Sequence, residues 1–149
     1  MQLRLIRNLA LLALWLMAAA AHAQNIAVSG AWVRAAVPGQ MATGAFMTIT
    51  ARDGAKLVGA SSSAAGVVEV HEMQMEGNTM KMRAVPALDL PAGKPVELRP
   101  GGYHMMLMDL KAALTKDSMV PLTLLFKDAK GVESRLEIKV PVATKAPAR

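Results

Sequence analysis

From Ile26 to Val142 the sequence never runs far without a glycine, proline or short polar turn, and this spacing most restricts the fold available to it. Ile26–Arg34 reads as a first extended segment, ended near Pro38-Gly39. Thr43–Thr50 is a second, rich in β-branched residues and bounded by Arg52-Asp53-Gly54. Ala55–Ala60 is a third, and Ser61–Gly66 reads as a loop. Val67–Met75 and Thr79–Val85 follow as strands. Leu90–Pro95 is a turn cluster before a short strand Val96–Arg99, and Pro100-Gly101-Gly102 precedes Tyr103–Leu110. Leu110–Leu114 fits one helical turn. Val120–Lys127 and Val132–Val142 close the series around the turn Asp128–Gly131, and the last of them alternates cleanly between apolar and polar residues. Many short strands with Gly/Pro turns predict an all-β protein, a barrel or sandwich with Greek-key connections.

The N-terminus reads as an address. Arg4 and Arg7 precede an unbroken apolar run, Leu9–Ala21, and Ala21-His22-Ala23 has the small-x-small form of a cleavage site. This is the pattern of a secretory signal peptide over residues 1–23, and 13 apolar residues are too few to span a bilayer. Arg4 and Arg7 are not adjacent, which argues against a twin-arginine signal. The chain has no cysteine, so no lipid attaches through a thiol, no disulfide staples the fold, and thiolate metal centres are excluded. The expected product is periplasmic, with no membrane contact after cleavage. It is one domain over residues 24–142 with a flexible tail over 143–149. Without Arg4 and Arg7 the basic residues fall from 17 to 15 against 11 acidic ones, a scattered charge of +4. With one Tyr and two Phe there is no stacking platform either, so nucleic acid is excluded as a partner.

The compositional anomaly is methionine. Seven of the 12, and both histidines beyond the N-terminal segment, lie between His71 and Met108. Thioether sulfur with imidazole, and no thiolate, is a donor set suited to Cu(I). Gly77-Asn78 between two strands predicts a two-residue hairpin turn. That turn sets Glu76 against Thr79, Met75 against Met80, Gln74 against Lys81, Met73 against Met82, and Glu72 against Arg83 as an opposite-charge pair. Since strand side chains alternate, His71, Met73, Met75, Met80 and Met82 share one face. In the second stretch His104, Met106 and Met108 share a face, with Tyr103, Met105 and Leu107 on the other. If the two strands meet at one end of the sandwich, two imidazoles and at least two thioethers converge.

A single methionine on a strand usually fills a gap in the core. Here each histidine has a methionine two residues on, on the same face, and that conjunction favours a metal site. The alternative is a metal-free periplasmic interaction domain whose Met-rich face binds protein. An enzyme is not expected, because no Ser-His-acid or paired-carboxylate spacing is present. Trp32 reads as core.

The series His71, ten residues, Met82, twenty-one residues, His104, one residue, Met106 resembles the signature of the periplasmic copper chaperone family that serves the CuA centre of cytochrome c oxidase. Ala31–Arg34, Gly44–Phe46, Val70–Met73, Met80–Arg83, Leu98–Met108 and Val120–Leu124 are also similar to that family. The resemblance implies a cupredoxin-like β-barrel whose surface site holds one Cu(I) through His71, Met82, His104 and Met106. Any of Met73, Met80 or Met108 could replace a named ligand. It also implies a monomeric chaperone that delivers copper to an oxidase subunit or similar copper enzyme, alongside a Sco-type thiol protein. Some relatives carry a His- or Met-rich C-terminal extension for a second copper. Residues 143–149 hold neither residue, so a single site is expected.

Overall fold

The computed structural model describes residues 25–148; the expected signal peptide, residues 1–23, lies outside them. Ten strands form in order: β1 (Ile26–Arg34), β2 (Ala42–Ala51), β3 (Ala55–Ser61), β4 (Ala65–Glu76), β5 (Thr79–Ala84), β6 (Leu88–Leu90), β7 (Pro95–Leu98), β8 (His104–Leu110), β9 (Met119–Lys127) and β10 (Glu133–Ala143). Seven of them hydrogen-bond around a ring, β4-β8-β2-β1-β10-β9-β3, and β3 returns to β4 through the pair Ala60–Val68. The β1–β10 pairing is parallel and its neighbours in the ring are antiparallel. The fold is therefore all-β, the closed Greek-key barrel of cupredoxin-like type that the strand spacing and the resemblance led us to expect.

Alternation decides which side chains fill the barrel. On β4 Val68 and Val70 are buried; on β8 Met105 and Leu107 are buried. They pack with Met47 and Phe126 in one apolar cluster. The intervening residues of β4 and β8 (Glu69, His71, Met106 and Met108) consequently face outward. Beyond the barrel β4 continues with β5 as a hairpin, and β5 is exposed along its whole length.

Several expectations need correction. Leu110–Leu114 is not helical: its backbone N–H groups are used elsewhere, Leu110 donating to Met41, Lys111 to Ala64 and Leu114 to Ala36. Without i to i−4 bonds no helical turn forms. The loop expected over Ser61–Gly66 is shorter, because β3 keeps Ser61 and β4 begins at Ala65. The three-residue strand β6, paired with β3, was not anticipated. Trp32 is buried, as expected. It stacks on Phe46, ring centroids 4.8 Å apart, and the Arg34 guanidinium lies over both rings at 6.0 and 5.5 Å. β10 also takes in Ala143, whose carbonyl accepts from Ala35.

Candidate metal centre

The hairpin register is the expected one at every rung, from Glu76–Thr79 to Glu72–Arg83, and continues to His71–Ala84. Gly77 takes the left-handed conformation (φ 61°) that a tight two-residue turn demands. The cross-strand charge pair differs from expectation. Arg83 reaches Glu76 at 3.6 Å rather than Glu72, and Lys81 reaches the same carboxylate at 2.7 Å. Lys81 reaches that carboxylate from the diagonal position and Arg83 from two residues further along β5. Both pairs lie on the face away from the methionines.

The second stretch reaches the first through the barrel, not at one end of a sandwich. In the β4–β8 ladder His71 sits directly opposite His104, Glu69 opposite Met106 and Val67 opposite Met108. His71 is thus the middle of the cluster. His104 is its direct neighbour on one side, with Met106 on that side's diagonal; Met82 lies diagonally across β5 on the other. Diagonal positions about 7–8 Å apart are within reach of side chains as long as methionine. Met73 follows His71 on the same face and opposes Met82. Met108 is four residues beyond His104, and Met80 four beyond Ala84, each about 13 Å along its strand. Met80 and Met108 therefore stand away from the paired imidazoles, while Met73 does not.

The two rings have centroids 6.1 Å apart. A metal about 2.0 Å from a ring nitrogen is about 3.2 Å from the ring centre, so two imidazoles on one ion span at most about 6.4 Å. The hydrogen bonds leave one nitrogen free on each ring. His104 Nδ1 donates to the Gly102 carbonyl at 3.0 Å, which leaves its Nε2 lone pair available. His71 Nε2 donates to Glu69 Oε2 at 3.0 Å, which leaves Nδ1. That Nδ1 is buried and has no hydrogen-bond partner. A buried acceptor without a partner costs about 1–3 kcal/mol. It is satisfied if a cation binds there. His104 is only 6% exposed, whereas Met82 is 49% exposed.

Glu69 was not picked out from the sequence, although its position two residues before His71 on the same strand face was a usable signal. Among the described residues no three His, Asp or Glu side chains form a metal-sized group, and the further donors the site offers beside its two imidazoles are thioethers. The aromatic pair borders the site: Phe46 lies against Gly44, where a Cβ would meet the ring at 2.8 Å, and Gly44 opposes Met106 across the ladder.

Residues 26–142 match the family "Putative lipoprotein LpqE-like". The chain belongs to this family. An LpqE-like relative, "Putative lipoprotein Lxx21020" of Leifsonia xyli subsp. xyli, is 38% identical over 122 residues, 81% of this chain and 71% of that protein. Among solved structures, Cu(I)-DR1885 from Deinococcus radiodurans is 34% identical with a TM-score of 0.63, covering 88% of this LpqE-like chain and 87% of that one. The apo PCuAC domain from PmoF1 superposes with a TM-score of 0.66 over 83% of this chain and 97% of that domain; at 21% identity the likeness is one of fold.

Proposed function

We propose that this LpqE-like protein is a copper chaperone, not an enzyme. In this reading it binds one Cu(I) tightly through His71, Met82, His104 and Met106. It then passes the ion to the CuA site of cytochrome c oxidase or a similar copper enzyme, with a Sco-type thiol protein as co-worker. The observation that carries the proposal is the free, buried Nδ1 of His71 directly beside His104. The relative DR1885, solved with Cu(I), supports the choice of metal, as does the softness of the donors. The N-terminal pattern and the lipoprotein names of the relatives support an extracytoplasmic, periplasmic location. The working unit is residues 24–142 as a monomer, after removal of residues 1–23.

The ligand chemistry suits transfer. Neutral thioethers hold Cu(I) less firmly than thiolates, and the imidazoles bind only in their neutral form. The cluster lies on the outer barrel wall, so an acceptor's ligand can approach before the old ones leave. Met82, exposed on β5, is the ligand an acceptor displaces first. Titration with Cu(I) against a competing chelator tests the reading, with one retained ion per chain as the expected result. No retained ion would remove the chaperone assignment.

Glu69 holds His71 in the tautomer that presents Nδ1. Losing a ligand's hydrogen-bond partner typically lowers metal affinity about 10–100-fold. Glu69→Ala is expected to weaken Cu(I) binding by that factor. Glu69→Gln, which can still accept from Nε2, should lose less. The same competition titration, run on both variants, reads the difference.

A further inference from the structure

The hairpin carries two methionines, Met75 and Met80, that neither the core nor the His71 site uses. Met75 is 60% exposed and Met80 48%. They form a directly opposed cross-strand pair, one rung from the end of the hairpin. Met73 lies on the same face, diagonal to Met80. Methionine that fills a core gap is buried, and these two are not. The hairpin itself is pinned in register by Glu76, which binds Lys81 and Arg83 on the opposite face. A one-residue slip would break those pairs and turn the sulfurs away from one another. Opposed strand residues have Cβ atoms about 4.5–5.5 Å apart, and diagonal ones are within reach of long side chains. Three flexible thioethers on one exposed face can thus close on a single ion.

We propose that Met73, Met75 and Met80 form a second soft-metal site at the hairpin, one that takes Cu(I), or Ag(I) in its place, without either histidine. The site is made of neutral sulfur alone. The nearest imidazole and carboxylate on this face, His71 and Glu69, lie four and six residues back along β4 from Met75, so the thioethers select soft monovalent cations over Zn(II), Mg(II) and Ca(II). It binds more weakly than the His71 cluster, by at least about tenfold, because it has fewer and weaker donors.

The test is titration of the whole exported chain, labelled at its methionine methyl carbons, with Ag(I) followed by NMR. The first equivalent is expected to move the methyl signals of the His71 cluster. The second should move those of Met75 and Met80, while Met73, between the two sites, responds to both. Met41 and Met119 are likewise exposed but have no methionine opposite them, and they should stay still. A Met75→Leu/Met80→Leu variant keeps side-chain volume on an exposed strand face and should fold normally. It should lose the second event and keep the first. A second event that survives in the variant, or spreads equally over Met41 and Met119, overturns the proposal, as does its absence. Loss of the first event with the second intact would instead remove the chaperone reading and leave the hairpin site standing.

Discussion

Replacing His71 and His104 together with alanine is expected to abolish retention of Cu(I) against a competing chelator, while the fold survives. The geometry sets the size of the effect. The two imidazoles are direct cross-strand neighbours with ring centroids 6.1 Å apart, each with one nitrogen committed to a fixed acceptor and the other left for a metal. Without them the ion would be left with thioethers alone, on a surface open to water. The loss in affinity should exceed about 100-fold, the upper end of what removal of a supporting hydrogen bond alone costs. Stability should change much less. His71 sits on the outer wall, and its removal also takes away a buried nitrogen with no partner. His104, only 6% exposed, loses its bond to the Gly102 carbonyl, about 0.5–1.5 kcal/mol, and the packing of its ring in addition. Thermal unfolding and the chelator titration, measured on the same sample, separate the two effects. A variant that still holds one Cu(I) at wild-type strength would show that the methionines suffice and the imidazoles are structural. A protein partner that binds equally well to both proteins would then favour the metal-free interaction domain.

How far the sequence could be read depends on the range of the interaction. Strands β4 and β5 and their register were legible because a Gly-Asn turn and strict alternation are local, and every rung of that hairpin is as expected. The face shared by His104, Met106 and Met108 was legible for the same reason. What alternation could not give was the neighbour across the barrel. Nothing near His71 in sequence says that His104 lies opposite it, since that pairing is made by strand order around the ring. The other errors have the same root. Leu110–Leu114 has the composition of a helical turn, but its amides are taken by Met41, Ala64 and Ala36 from distant parts of the chain. Trp32 on strand β1, by contrast, is buried as expected, against Phe46 and Arg34. The Ser29–Trp32 irregularity, where Gly30 takes φ 61°, marks a local change of register in that strand. The role of Glu69 follows from spacing that was visible, but only the opposing Met106 and the bond to His71 give it meaning.

Met105 and Met106 put the alternation to its sharpest test, because they are adjacent, chemically identical and assigned opposite work. Met105 points into the barrel and is fully buried among the core residues, whereas Met106 points outward beside Glu69 and Gly44. Met105→Ala should cost about 2–5 kcal/mol of stability, the range for emptying a packed core site, since closed barrel walls leave little room to collapse into the cavity. The folded fraction of that variant should keep its Cu(I), because no donor has been removed. Met106→Ala should do the reverse. It exposes no core and leaves no large cavity, so unfolding should shift by less than about 1 kcal/mol. Copper affinity should fall by at least about tenfold, or about 1.4 kcal/mol, through the loss of one soft donor. Denaturant unfolding of the metal-free proteins gives the first pair of numbers and chelator competition the second. Equal effects of the two substitutions on copper would mean that the ion is held through the barrel interior, which the burial of Met105 behind the β4–β8 ladder opposes. Equal effects on stability would mean that the outer face of β8 is packed as tightly as the core. The division between the two residues is then a division between the wall's two sides, one packed into the core and one turned toward the His71–His104 pair.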